Sequence, residues 1–126
     1  MEDKMYNVFW QEANKIEITL RNHLTQSDME QVIHQLESLS AMYQEINVLL
    51  DAGQVDKYDF RIILENFDFY KRYKNNLKKV ALVSDKKFAS FLFSQLNKMT
   101  DTEFRHFEDE QLEEARKWIF PSRLPG

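Results

Sequence analysis

The spacing of apolar residues changes along the chain between the period of strands and the period of helices. Lys15–Leu20 alternates apolar and polar side chains, which is typical of a strand with one buried face. The apolar members are Ile16, Ile18 and Leu20, and the polar ones are Glu17 and Thr19. Tyr6–Trp10 forms an earlier apolar segment, and Glu12-Ala13-Asn14 suits a turn between the two. The pattern therefore predicts an opening hairpin of two strands.

A first helix is predicted after this hairpin. Thr25 is a good N-cap residue, and Asp28 follows three positions later, as in a capping box. The apolar face of the predicted helix consists of Met29, Val32, Ile33, Leu36, Leu39, Met42 and Tyr43. His34 falls on the opposite, polar face, where we expect it to be exposed.

Two short apolar segments, Ile46–Leu50 and Val80–Val83, predict central strands that are covered on both faces. The first is expected to end at Asp51-Ala52-Gly53. The second is expected to end at Ser84-Asp85, where either side chain can cap a helix. Glu103–Phe107 predicts the last strand.

Three more helices are predicted after these strands. The second helix starts near Asp56, the third follows Ser84-Asp85, and the fourth follows Glu108–Glu110, whose charges favour a helix N-terminus. Their apolar stripes are Phe60, Ile63, Leu64, Phe67 and Tyr70; Phe88, Phe91, Leu92, Leu96 and Met99; and Leu112, Ala115, Trp118 and Ile119. The order β-β-α-β-α-β-α-β-α predicts an α/β domain with a mixed sheet of about five strands and about four helices, joined by right-handed crossovers.

Composition sets limits on this domain. A chain of 126 residues that is 43% hydrophobic is expected to form one domain with its own core. We place the domain at residues 1–120 and a flexible tail at residues 121–126, which contain both prolines. The chain has no cysteine, no apolar signal segment at its start and no apolar stretch long enough to cross a bilayer. The expected location is therefore the cytoplasm.

The residues that common catalytic and metal sites require are missing or scattered. Gly53 is the only interior glycine, which excludes the usual phosphate-binding loops. His23, His34 and His106 lack metal-ligand spacing. Ser84 lacks the flanking glycines of a nucleophile elbow. We therefore predict a protein that is not an enzyme, with no catalytic residue, no metal and no cofactor.

Two remaining polar features have ordinary structural interpretations. His106 is expected to be satisfied by a neighbour in the sheet, and Glu113 and Glu114 are expected to pair with Lys117 on the surface of the last helix. A hydrolase is the least favoured alternative. It would require His106 to meet both a carboxylate and a hydroxyl group.

Several short sequences occur in an order that resembles the bacterial SpoIIAA-like family. They are Leu49-Leu50-Asp51, Val83-Ser84-Asp85 and Glu114-Ala115-Arg116-Lys117-Trp118, and the similarity extends from about Ile16 to Ile119. The resemblance implies a STAS-like α/β fold, related to CRAL-TRIO lipid-carrier domains. STAS domains of the anti-sigma-antagonist type carry a phosphorylatable serine after the central strand. Residues 51–59 contain no serine or threonine, so that switch is not transferred to this chain.

The second predicted helix carries more apolar residues than one core stripe requires. Tyr58, Ile62, Phe69 and Tyr73 fall on a neighbouring face. Core burial, self-association and an apolar ligand all explain such a surplus. The resemblance to a fold related to lipid carriers implies an apolar ligand.

A basic segment overlaps this face, with five cations among the nine residues 71–79. Lys71, Arg72 and Lys74 would form a charged rim. They complement the negative end of the helix dipole, and they also suit weak contact with an anionic membrane surface. Nucleic acid is not expected, because the net charge is −4 and no aromatic–basic stacking motif is visible.

The leading hypothesis is a non-enzymatic bacterial domain that binds an apolar small molecule or a lipid near the second and third helices. Tyr58, Ile62, Phe69 and Tyr73 would make the apolar contacts. The main alternative is a protein-interaction or dimerisation module, with a protein partner or a second copy of the chain.

Overall fold

A five-stranded mixed sheet, seen in a computed structural model of the chain, organises the domain, and its strands lie side by side in sequence order. The structure describes residues 8–23, 25–57, 65, 67–73, 75–90 and 101–121. The strands are β1 (Val8–Glu12), β2 (Lys15–His23), β3 (Ile46–Lys57), β4 (Leu77–Val83) and β5 (Glu103–Phe107). β1 is antiparallel to β2, and β2 to β5 are parallel. The predicted α/β architecture is confirmed.

Helices occur in each of the four predicted positions. They are α1 (Gln26–Met42), α2 (Phe67–Tyr73), a helical segment at residues 86–90, and α3 (Leu112–Ile119). A 3-10 turn at Asp109–Gln111 precedes α3, so the acidic residues before this helix form a turn of their own. The predicted element order is therefore confirmed.

The predicted N-caps of two helices are confirmed. The Thr25 hydroxyl accepts a hydrogen bond from the Asp28 N–H at 3.1 Å, and the Asp28 carboxylate accepts one from the Thr25 N–H at 2.8 Å. Before the helical segment at residues 86–90, the Asp85 carboxylate accepts from the Phe88 N–H at 2.8 Å. Asp85 is therefore the capping side chain at this end, and the Ser84 hydroxyl donates to the Asp85 carbonyl at 2.9 Å.

The two faces of the sheet carry separate cores. α1 and the helical segment at residues 86–90 pack on one face, and α3 packs on the other. Right-handed crossovers between parallel strands in sequence order are expected to place connecting helices on the same face. The α1-side core contains Ile16, Ile18, Leu20, Val32, Leu36, Leu39, Ile46, Val48, Ala52, Val55, Leu77, Leu82, Phe88 and Ala89. The α3-side core contains Leu49, Ala81, Val83, Phe107, Ala115, Ile119 and Phe120. The sheet is thus the middle layer of three.

β3 is longer than the sequence predicts. Asp51-Ala52-Gly53 lies inside the strand, and Asp56, the predicted start of the second helix, is also a strand residue. Pairing with β4 stops at the Asp51–Val83 pair, but pairing with β2 continues to the His23–Lys57 pair. The polar residues after Leu50 therefore continue a ladder with β2, and Val55 is buried in the core.

The opening hairpin is shifted towards higher residue numbers. β1 includes Gln11 and Glu12, and the turn is confined to Ala13-Asn14, where Ala13 adopts a positive φ of 53°. The first two residues of the predicted Tyr6–Trp10 strand lie outside the described part of the chain. Residues 122–126 of the predicted tail also lie outside it. Among the described residues, no helix is both long and apolar enough to span a membrane.

Candidate functional site

The carboxyl ends of β2 to β5 lie at one edge of the sheet, which is where ligands usually bind in open α/β folds. Glu17, Asp51 and Arg116 form a charged cluster under α3, with Glu17 near the start of β2 and Asp51 in the middle of β3. Arg116 donates to Glu17 through Nε at 3.0 Å and through Nη2 at 2.7 Å. Glu17 is only 6% exposed. The ion pair fastens α3 to β2.

This geometry corrects two sequence expectations. Alternation in β2 predicted one buried face, with Glu17 on the polar side. Glu17 is buried as well, because α3 crosses that side of the sheet. Glu113 pairs with Arg116, and the expected pairing of Glu113 with Lys117 is wrong. Hydrogen bonding to Glu17 raises the pKa of the Arg116 guanidinium above its already high usual value.

Asp51 adds a second buried carboxylate, with 7% of its surface exposed. Its Oδ1 accepts a hydrogen bond from the Gly53 N–H at 3.2 Å. Burial raises the pKa of Asp51; the charges of Glu17 and Asp109 act in the same direction, while the Gly53 N–H and Arg116 oppose it. A buried carboxyl group of raised pKa costs stability at neutral pH.

Asp109 approaches Asp51 across Gly53. A Cβ atom at Gly53 would lie 2.8 Å from Oδ1 of Asp109 and 3.4 Å from Oδ1 of Asp51. A larger residue at this position would therefore displace the Asp109 carboxylate, whose side chain is exposed, while the distance to Asp51 is an ordinary contact. Within the described ranges, no group of three or more histidine, aspartate and glutamate side chains is placed to hold a metal ion. The cluster joins β2, β3 and α3 as a structural network.

His106 is satisfied by the main chain, which confirms the expectation for a sheet-face histidine. Its Nε2 lies 2.8 Å from the carbonyl oxygen of Ser84. The Ser84 hydroxyl instead donates to the Asp85 carbonyl. The His106–hydroxyl contact that a hydrolase would require is therefore not made with Ser84. His34 is exposed, as predicted, and lines a shallow depression of about 380 Å³ on α1.

Part of the predicted ligand site is described. Lys71 and Arg72 are exposed in the last turn of α2, and Tyr73 is half-buried. Tyr58, Ile62 and Lys74 lie outside the described residues, as does the side chain of Phe69. The predicted site is therefore represented by one aromatic residue and two cations of the rim.

The C-terminal ends of α1 and α2 lie together. The Tyr73 hydroxyl lies 3.5 Å from Oε2 of Glu37 on α1. Beyond the helices, the Ile46 N–H donates to the Asn76 carbonyl at 2.8 Å, and the Asn76 side chain donates to the Gln44 carbonyl at 3.3 Å. These bonds hold the two following loops side by side.

Met42 is 68% exposed at this end, although its spacing predicted a core position. It is the last residue of α1, at the end of the helix that precedes β3. Among the described residues, neither Lys71 nor Arg72 has a carboxylate within 4.0 Å. We call Met42, Lys71, Arg72 and Tyr73 the α1–α2 end. It includes one exposed apolar side chain and two exposed cations.

Comparison with known proteins agrees with this architecture. The SpoIIAA-like family model matches residues 15–120. The chain is also similar to the crystal structure of an uncharacterised protein of the DUF3478 family with a SpoIIAA-like fold from Shewanella loihica PV-4. The two are 21% identical with a TM-score of 0.67, over 94% of this chain and 98% of that chain. No curated protein matches. At this identity the structural likeness concerns the fold alone.

Proposed function

Since the chain belongs to the SpoIIAA-like family, we propose that it is a non-enzymatic domain that binds a lipid or a similar amphiphile with an anionic head. The binding position is the α1–α2 end, where the exposed Met42 would contact the apolar body. Lys71 and Arg72 would contact the head. A bacterial cytoplasm is the proposed location, which the absence of cysteine fits.

The exposure of two adjacent cations is the observation that carries this proposal. Lys71 and Arg72 are both exposed in the last turn of α2, where their side chains are accessible to a ligand. Each basic residue near an anionic lipid surface contributes about 1 kcal/mol. Met42 supplies exposed apolar surface at the end of α1. An exposed large apolar side chain together with cations suits an amphiphile better than a purely polar ligand.

The helix dipole gives these cations a structural role as well, because both lie in the last turn of α2. That role alone would require neither the exposed Met42 nor the pairing of the two helix ends. A binding experiment separates the two roles.

The test is binding to vesicles of phosphatidylcholine with and without phosphatidylglycerol. The double variant Lys71→Gln with Arg72→Gln should lose most of its binding to the anionic vesicles, and Met42→Ser should weaken it. The matched control is Lys86→Gln with Lys87→Gln, an equally charged and exposed adjacent pair that follows β4 at the opposite edge of the sheet. Equal loss in both double variants, or no binding by the natural protein, would overturn the proposal.

Native mass spectrometry of the purified protein provides a second readout. A bound lipid or other amphiphile should appear as an added mass in the natural protein and be depleted in the Lys71→Gln, Arg72→Gln variant. A ligand-free mass that does not change after lipid titration would argue against an amphiphile at this position.

Self-association is a second candidate, favoured by one observation. Trp10 lies on β1, an edge strand of the sheet, and is 41% exposed although its ring packs edge-on against Phe120 at 5.0 Å. A dimer that covers Trp10 should dissociate when Trp10 is replaced by Gln. Analytical ultracentrifugation over a range of concentrations measures this, and a monomer at every concentration would remove the candidate.

A further inference from the structure

Two cations converge on one indole ring on the α3 side of the sheet. The guanidinium carbon of Arg105 on β5 lies 5.0 Å from the ring centroid of Trp118 on α3. Nζ of Lys79 on β4 lies 5.1 Å from the same ring. The sequence analysis finds no aromatic–basic motif because these three residues come from three different elements.

Arg105 is held by two aromatic rings. Its guanidinium carbon is also 5.2 Å from the ring of Phe107, and the Phe107 and Trp118 rings lie 6.2 Å apart at an angle of 48°. Contacts with ring faces restrict the guanidinium plane while they leave its five N–H donors unused. Arg105 is exposed, so its side chain is accessible to a ligand.

Neither cation is neutralised within the described part of the chain. Glu103 is the register partner of Lys79, yet no carboxylate lies within 4.0 Å of Lys79 or Arg105 there. Two like charges next to one ring repel each other, and cation–π attraction at exposed sites offsets only about 0.5–1 kcal/mol for each. A bound anion would relieve this repulsion.

We propose that Lys79 and Arg105 form a binding site for a phosphate group, with Trp118 and Phe107 as its floor. An arginine fork donates two parallel hydrogen bonds to phosphate oxygens, and a lysine adds a point charge. A doubly charged phosphate suits two cations better than a single carboxylate does. The phosphate is either free or carried by a small organic molecule.

This site is separate from the α1–α2 end. Neighbouring residues of a strand point to opposite faces, and Lys79 shares its face with Ala81 and Val83, which belong to the α3-side core. The phosphate proposal therefore stands or falls independently of the amphiphile proposal.

Nuclear magnetic resonance tests the site in the intact protein. The Trp118 indole N–H and the Arg105 side-chain N–H signals should shift saturably when inorganic phosphate is added at constant ionic strength. Titration with glycerol 3-phosphate identifies the source of the group. Tighter binding of this ester indicates a phosphate carried by an organic molecule, and tighter binding of inorganic phosphate indicates free phosphate; either result supports the site.

Three variants complete the experiment. Arg105→Lys keeps the charge but loses the fork and the ring stacking, and should weaken phosphate binding about tenfold or more, as should Lys79→Gln. Lys117→Gln removes a neighbouring exposed charge from α3 and should leave binding unchanged. Preserved dispersion of the backbone signals shows that each variant is folded.

The proposal is wrong if phosphate produces no saturable shift, or if Arg105→Lys and Lys79→Gln bind it as tightly as the natural protein. Acetate that shifts the same signals with equal affinity would also overturn it, because the site would then respond to negative charge without selecting phosphate.

Discussion

Arg116 donates hydrogen bonds to Glu17 through Nε and Nη2, although the two residues are 99 positions apart in the sequence. The pair joins the last described helix to the second strand. Its carboxylate is buried and its guanidinium is partly exposed. A contact of this kind fixes the orientation of α3 on the sheet, since Arg116 can reach Glu17 only when the helix lies in one register.

Replacement of Arg116 with Met should lower the free energy of unfolding by about 2 to 4 kcal/mol. Removal of one partner leaves the Glu17 carboxylate buried and unpaired, which costs more than the ion pair itself contributes. The lower part of the usual range for buried pairs applies because Arg116 is partly exposed. Urea unfolding followed by circular dichroism measures the change.

The double variant Glu17→Leu with Arg116→Met should recover a large part of this loss, because no charge is then left buried. Lys117→Met is the matched control, since it removes an exposed cation from the same helix. A similar loss in Arg116→Met and Lys117→Met would contradict the interpretation.

Replacement of Asp51 with Asn should stabilise the protein at neutral pH by about 0.5 to 2 kcal/mol. Asparagine keeps an acceptor for the Gly53 N–H but removes the charge that burial disfavours. The pKa of Asp51 is raised in the folded state, so the ionised form costs stability above that pKa. As the pH falls through the raised pKa, Asp51 is protonated in the folded protein before it is protonated in the unfolded chain. The stability cost of the buried charge then disappears.

The advantage of Asp51→Asn should therefore shrink as the pH is lowered from 7 through the raised pKa towards the unfolded value near 3.8. Thermal melts over this pH range test the dependence. Asp101→Asn, which changes an exposed aspartate, should show no comparable effect. A gain that is constant with pH would rule out titration of Asp51 as its origin.

Replacement of Thr25 with Ala should destabilise the protein by about 1 kcal/mol, because the Asp28 N–H loses its acceptor at the start of α1. Thr25→Ser keeps a hydroxyl and should stay within a few tenths of a kcal/mol of the natural protein. Ser27→Ala, an exposed change in the first turn, is the control. If chemical unfolding gives Thr25→Ser the same loss of stability as Thr25→Ala, the capping role of the Thr25 hydroxyl is contradicted.

The effect of Gly53→Ala should depend on Asp109. The added methyl group meets the Asp109 carboxylate, an exposed side chain that can move away, so the single variant should be close to neutral. In an Asp109→Ala background the same change should stabilise by about 0.4 to 1 kcal/mol, because alanine restricts the unfolded chain and the strand conformation suits it. A double-mutant cycle measures the coupling, and identical effects in both backgrounds would show that Asp109 does not approach Gly53.

The element order was predictable from local pattern, whereas the second face of the sheet was not. Alternation in β2 identifies Ile16 and Ile18 correctly as core residues. It cannot reveal that α3 returns over the opposite side, because that placement depends on residues about a hundred positions away. Glu17 consequently has the appearance of a surface residue in the sequence.

β3 illustrates a second limit. Asp51-Ala52-Gly53 has the composition of a turn, and local propensity places the end of the strand there. In the structure, pairing with β2 continues beyond β4, and Asp51 is buried within the strand. Tertiary pairing outweighs local propensity at this point.

The candidate sites also differ in whether the sequence alone could identify them. Lys71 and Arg72 were identifiable because they are adjacent in sequence. The group formed by Lys79, Arg105 and Trp118 was not, since strand register and helix placement together create it. Met42 was misassigned because helical periodicity does not indicate where a helix reaches the boundary of the core.

The distance along the chain between Glu17 and Arg116 also sets an order of events during synthesis. A ribosome that adds roughly 5–20 residues per second delivers Arg116 on the order of five to twenty seconds after Glu17. α1 and the strands β3 to β5 are synthesised during that interval, before α3. Until α3 emerges, the side of the sheet that carries Glu17 has no helix to cover it, and this carboxylate stays in contact with solvent.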